Sequence, residues 1–166
     1  MKKIALAILV SLGTISMSAF ADGDAYNGFS VYFGRSTLPG EKSVSTGLAV
    51  MRSSRSTEYY GYEMQAGLFD NSGPFTSNVF VELSAIGLMP LSDTGYKLYG
   101  KAGLADVYSR GSSETANKLG LAYGAGVEFT RDVGIIRVGL QHFNLGSNTL
   151  ASSLGTNLIG LTLLLK

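Results

Sequence analysis

Eight separate stretches of this chain alternate apolar with small or polar residues, behind a short N-terminal apolar run. A period of two belongs to strands, whose successive side chains point to opposite faces. The runs span 26–35, 44–52, 58–69, 78–89, 96–108, 118–130, 135–145 and 156–165. Each is about the length that a tilted membrane strand needs. Lipid offers the backbone no water, so only helices or closed barrels can satisfy every N–H and C=O within it. Past the N-terminal run there is no apolar stretch of about 18 residues, so no spanning helix is expected. Eight is an even number, as bacterial single-chain barrels require. The pattern therefore predicts an all-β fold: an eight-stranded antiparallel up-and-down transmembrane β-barrel.

The N-terminus, MKKIALAILVSLGTISMSAFA, reads as a cleavable export signal over residues 1–21. Lys2 and Lys3 form its basic start, Ile4 to Val10 its apolar core, and Ala19-Phe20-Ala21 its cleavage site. The barrel domain is expected over 22–166. The whole chain has 13 basic and 12 acidic residues. Removing the two leader lysines leaves 11 against 12. That balance excludes the basic surface of a nucleic-acid binder. With no cysteine, neither disulfides nor a lipoprotein anchor is expected. Glycine occurs 22 times against three prolines, which suits strands packed closely round a narrow lumen.

Parity along the strands separates two faces. One carries Phe29, Val31 and Phe33, then Val44, Leu48 and Val50, then Leu83, Leu98, Leu121, Val138 and Leu161. The other is rich in glycine and serine and holds Glu63, Glu82, Lys101, Glu128 and Arg137. A soluble barrel would turn the apolar face inward. Five scattered charges are few for a soluble surface, so the apolar face is expected to meet lipid and the charges to line the lumen. Buried charges must then be paired, because an isolated one costs several kcal/mol. Neighbouring strands suggest Lys101 between Glu82 and Glu128, with Arg137 reaching Glu128. Phe29, Tyr60, Tyr62 and Phe129 are expected to form a periplasmic aromatic girdle at the headgroup level. Asp106 has outward parity on the fifth strand; a position near the outer end or a local bulge would accommodate it.

With both termini in the periplasm, TLPGEKS, DNSGPFT, SRGSSETAN and GSNTLASS become outer loops. RSSRST, PLSDTG and RDVG become periplasmic turns.

The runs TEYYGYEMQAGLF, ELSAIGLMPLSDTGYKLYGKAGLADVYSR and YGAGVEFTRDVGIIRVGLQHFNLGS resemble the OmpA-like transmembrane barrel, with GYEM, MPLSD and YGAGVEFT the most specific pieces. The resemblance covers nearly all of 26–166. It implies a monomeric barrel of the bacterial outer membrane with a structural, adhesive or receptor role. It also implies that Glu63 is a lumen glutamate, Lys101 a lumen cation and Glu128 a second lumen acid. Ile86 stands where the pattern often has lysine, and Arg137 is the candidate replacement. The sequence ends at Lys166, so a wall-binding domain is not expected. It also ends without the aromatic residue that usually helps the assembly machinery recognise such chains.

His142 in QHFNLGSN is the lone histidine and resembles, weakly, the histidine of barrel-type lipid A deacylases. Those pair histidine with serine two positions on; here Asn144 stands there, Ser147 has the wrong offset, and no acid follows Asp132. A nucleophile, a base and its orienter must lie within hydrogen-bond reach. That set is missing, so no catalytic residue is expected. One histidine without cysteine cannot build a structural zinc site, so neither a metal nor a cofactor is expected. The expected partners are outer-membrane lipids and lipopolysaccharide, with Lys42, Arg110 and Lys118 near its phosphates, and the barrel-assembly machinery during insertion. The function expected first is structural or surface interaction, then a narrow porin-like channel gated by lumen ion pairs, then a lipid A-modifying enzyme.

Overall fold

The computed structural model describes residues 24–38, 41–71, 75–91, 95–111, 115–145 and 154–166. The expected signal, 1–21, lies outside them. Eight strands make up the fold: β1 (Asp24–Leu38), β2 (Glu41–Arg55), β3 (Tyr60–Asn71), β4 (Phe75–Pro90), β5 (Tyr96–Gly111), β6 (Thr115–Arg131), β7 (Gly134–Leu145) and β8 (Leu154–Leu165). Each pairs antiparallel with the next, and β1 pairs with β8, closing the barrel. Closure leaves no unpaired edge, which is what an apolar surrounding demands. At the seam, Lys166 Nζ lies 2.7 Å from Asp24 Oδ1.

Following paired residues once round the wall gives the stagger. From Gly134 the path runs through Leu165, Asn27, Arg52, Met64, Leu83, Leu104 and Leu121, and returns to β7 at Asn144, ten residues further on. For eight strands this stagger implies a tilt of about 40° and an interior just wide enough for side chains to fill.

The strands outrun the sequence pattern. At the end bearing Asp24 and Lys166, β2 continues to Arg55, so much of the expected RSSRST turn is strand. The chain turns at 56–59, where Thr57 Oγ1 accepts hydrogen bonds from the Tyr59 and Tyr60 N–H groups (3.1 and 3.2 Å). That local bonding competes with the ladder and delays β3 to Tyr60. Gly95, φ +87°, takes a left-handed conformation before β5 that other residues rarely adopt. At the opposite end, pairing persists into segments whose polarity reads as loop, as in Thr37 opposite Lys42 and Arg110 opposite Thr115. Backbone pairing does not require apolar side chains, so polarity misplaces those boundaries. Lys42, Arg110 and Lys118 consequently lie on β2, β5 and β6. The connecting residues 39–40, 72–74, 112–114 and 146–153 lie outside the described residues.

The wall is apolar outside. Phe33, Leu48, Leu83, Leu104, Leu121, Val138 and Leu161 are each more than half exposed. Inside, two apolar tiers bracket a polar middle. The tier toward the 38/41 end holds Tyr32, Phe69, Phe80, Val107, Phe143 and Leu158, with Ala49, Ala105 and Ala122 between them. Phe80 and Phe143 meet edge to face at 5.1 Å, and Phe69 stacks on Phe143 at 6.1 Å. The tier toward the termini contains Tyr26, Met51, Ile135 and Leu164, and beside it Ile86, Leu88 and Tyr99.

Asp106 corrects the bulge expectation. The β5 register passes through it without a break, opposite Val81 and Leu119, and its side chain is exposed on the outer wall. The irregularity in the β4–β5 pairing lies at Phe75/Ser77 instead.

Candidate functional site: the charged lumen and the outer wall

Six charged side chains are buried among the described residues: Arg55, Glu63, Glu82, Lys101, Glu128 and Arg137. Three acids and three bases balance. Alternation places them, because Glu63, Glu82 and Lys101 share the glycine- and serine-rich face of β3, β4 and β5. The barrel then brings distant strands together across the lumen.

Two groups form. In the first, Arg137 on β7 donates from Nη1 to Glu63 Oε1 (2.8 Å) and from Nη2 to Glu128 Oε2 (3.1 Å). Arg55 Nη2 also donates to Glu128 Oε2 at 2.8 Å and lies 3.9 Å from Glu63 Oε1. Ser53 Oγ donates to Glu63 at 3.0 Å. The Arg137 guanidinium rests 4.5 Å from the Tyr99 ring centre, a desolvated cation–π contact. In the second group, Lys101 Nζ lies 2.9 Å from Glu82 Oε1, while Gln65 and Gln141 both donate to Glu82 Oε2. Tyr32 Oη donates to Gln65 Oε1 at 2.6 Å. Charge-assisted bonds of this kind are the strong ones, and here they offset part of the desolvation, with Arg55 Nη1, Glu63 Oε2 and Arg137 Nε left without a hydrogen-bond partner among the described residues.

Lys101 therefore pairs with Glu82 alone, not with Glu128 as well. Its β6 neighbour is Gly124, whereas Glu128 stands opposite Lys97, nearer the termini. Glu128 is served by Arg137 and by Arg55, a residue that its Ser-Ser-Arg-Ser-Thr surroundings hid within an expected turn. Continuing the β2 parity inward through Met51 and Ser53 would have found it. Ile86 is buried in the apolar tier near the termini, where it makes no demand for a countercharge.

The lumen is filled. Tyr99 lies over Gly139: a Cβ at Gly139 would stand 2.0 Å from Tyr99 Oη. Tyr32 covers Gly160 likewise, with Cε1 2.7 Å from such a Cβ. Between the two polar groups remains a cavity of about 10 Å³ bordered by Tyr32, Met51, Tyr99, Lys101 and Arg137, room for one water.

On the outer wall, Tyr60, Tyr62 and Phe129 stand near the terminal end. Tyr96, which the expected girdle omits, packs on Phe129 at 4.6 Å. Phe29 faces outward at the third outward position of β1, opposite Val50 and Leu163, inside the aliphatic band and not in that ring. His142 also faces outward. Its Nδ1 is 2.8 Å from Asn157 Oδ1 and its ring 4.8 Å from that of Tyr123. No hydroxyl or carboxylate bonds to it among the described residues. Nor do the described residues bring three His, Asp or Glu side chains together as a metal group would need.

A closed eight-stranded barrel with an apolar exterior and ions inside has the fold of the small outer-membrane barrels. Solved structures bear this out. Neisserial surface protein A matches with a TM-score of 0.72 at 11% identity, over 86% of this chain and 96% of that one. Ail, the attachment invasion locus protein of Yersinia pestis, matches at 0.54 and 16% identity, over 86% and 99%. In complex with the heparin analogue sucrose octasulfate, Ail matches at 0.58 and 18% identity, over the same shares. No protein-family profile matches the sequence, and no curated protein does.

Proposed function

We propose that this chain is an integral barrel of the bacterial outer membrane, monomeric, with a structural or surface-interaction role and both termini in the periplasm. One observation carries the reading: the greasy side of the sheet is outside and a charge-balanced, packed lumen is inside. In water such an exterior would aggregate, since monomeric soluble proteins rarely expose contiguous apolar patches above a few hundred Å². In a bilayer it is the ordinary wall of a barrel. The names of the matched proteins, a surface protein and an attachment and invasion protein, agree with such an address.

A porin-like channel gated by ion pairs is less well supported. Phe69, Phe80, Phe143 and Leu158 close the lumen on one side of the ions and Leu164, Ile135 and Tyr26 on the other. A lipid A-modifying enzyme is less well supported again, because His142 bonds to an asparagine and Asn144 takes the nucleophile's place.

The test is refolding into phospholipid vesicles and labelling in cells. Cysteine at Ser113, between β5 and β6, should react with an impermeant reagent on intact cells, and cysteine at Thr57 only after the outer membrane is breached. A mature chain that folds and stays dispersed without detergent would overturn the reading, and channel events in planar bilayers would restore the pore.

A further inference from the structure

Among the described residues, the outer wall carries a polar island over β6, β7, β8 and β1 with no role in closing the barrel. Across β6, β7, β8 and β1, one row of paired outward positions reads Tyr123, His142, Asn157, Arg35. The next outward row begins Leu121, Asn144, Gly155. The first row climbs with the strand tilt from Tyr123 to Arg35 and reaches the upper limit of the apolar wall. On β6, Leu121 and Leu119 continue two outward positions past Tyr123, roughly 13 Å along the strand, and both are well exposed. On the other flank, Arg35 stands opposite exposed Val44. A cation at that level costs little on the lipid face and is within reach of headgroups.

The chemistry of the island is one-sided. Asn157 Oδ1 accepts from His142 Nδ1, which leaves Asn157 Nδ2 as a donor and the His142 Nε2 lone pair as an acceptor for a ligand. Asn144 and Asn157 are exposed, as is Arg35, which forms no ion pair among the described residues. No carboxylate lies on these rows. The nearest outward acids are Asp106 on β5, opposite Leu119 of β6, and Asp70 on β3, two strands from β1. An unpaired guanidinium with amide donors beside it, no acid on its own rows, at the edge of an apolar wall, suits an anion that arrives with acyl chains, and a guanidinium fork matches phosphate geometry.

We propose that this face of the barrel holds the phosphorylated headgroup of a saccharolipid of the outer leaflet, with Arg35, Asn157 and Asn144 donating to the phosphate, His142 Nε2 accepting from a sugar hydroxyl beside it, and Tyr123 against the sugar–acyl boundary. The inference rests on the membrane reading above and extends it to one lipid and one site.

The test refolds the full mature chain into phosphatidylcholine vesicles containing bisphosphorylated lipid A, followed by mild extraction and native mass spectrometry. The wild type should retain one lipid A per barrel. Arg35→Leu combined with Asn157→Leu should lower retention at least tenfold, and Arg35→Lys should restore part of it. Asp106→Leu, on β5 and four strands from Arg35, should leave it unchanged. Dephosphorylated lipid A should be retained no better by the wild type than by the double variant. If the double variant does not fold, His142→Leu with Arg35→Gln replaces it, with the same expected loss. Equal retention by variant and wild type, or equal retention of the phosphate-free lipid, overturns the proposal. So does a wild-type dimer that the variant converts to monomer with no change in bound lipid, since the patch would then be a protein contact. A wild type that fails to insert defeats the membrane reading itself; one that inserts and retains no lipid defeats only this site.

Discussion

Arg55, the last residue of β2, places its guanidinium 2.8 Å from the carboxylate of Glu128 on β6, across the full width of the lumen. Removing either partner leaves a buried charge in surplus. Arg55→Met should destabilise the refolded barrel by about 3 kcal/mol, the usual cost of breaking a buried pair. Adding Glu128→Gln restores neutrality and should recover most of the loss. Urea midpoints in detergent micelles, read by heat-dependent gel mobility, check both. Additive losses would show that the two residues act independently.

Gly139 and Tyr99 are coupled by shape. Alanine at 139 would drive its Cβ into the Tyr99 hydroxyl, so Gly139→Ala should cost about 1–3 kcal/mol through overpacking. Shortening the intruder in Tyr99→Leu should remove, in the double variant, the part of that penalty due to the ring, leaving the 2.7 Å approach to the Ala125 carbonyl. The signature is non-additivity in the same urea series.

Phe80 is buried among Tyr32, Phe69 and Phe143. Phe80→Ala should cost about 3–5 kcal/mol, as large-to-small changes in packed interiors do. It should not open a conducting path, because the ion groups and the Leu164 tier still fill the lumen beneath. Planar-bilayer recording of the folded variant decides this, and steady single-channel events would show that the aromatic tier alone is the seal.

Asp106 sits on the outer wall between Val81 and Leu119 with no bulge to turn it away. A charged residue on the lipid face near an interface costs roughly 0–1 kcal/mol. Asp106→Leu should therefore raise the urea midpoint modestly, by up to about 1 kcal/mol of stability, in vesicles. A lower midpoint would mean that the carboxylate has a favourable partner.

The strand count and the division of faces were legible because alternation is local: Leu83 and Glu82 declare opposite sides without knowledge of any other strand. The lumen acids and Lys101 followed from the same parity. So did two pairings between neighbouring strands, Lys101 with Glu82 and Arg137 with Glu128; pairings across the lumen did not, since Arg137 meets Glu63 only after the ten-residue stagger is known. Arg55 was hidden by its serine-rich neighbours, which read as turn. Phe69 and Phe143 gave a faint signal, as bulky residues on a face otherwise small. The outward His142–Asn157 pair needed the β7–β8 register, which no single segment encodes.

The polar contacts in the interior join every staves-width of the cylinder: Tyr32 to Gln65, Arg55 to Glu128, Arg137 to Glu63, Lys101 and Gln141 to Glu82, and Ser30 to Thr162. No single hairpin can peel away without stranding an ion or an amide in a dry place. The molecule should therefore come apart as a whole or not at all, slowly, with its resistance stored in cross-braces instead of in any one rib.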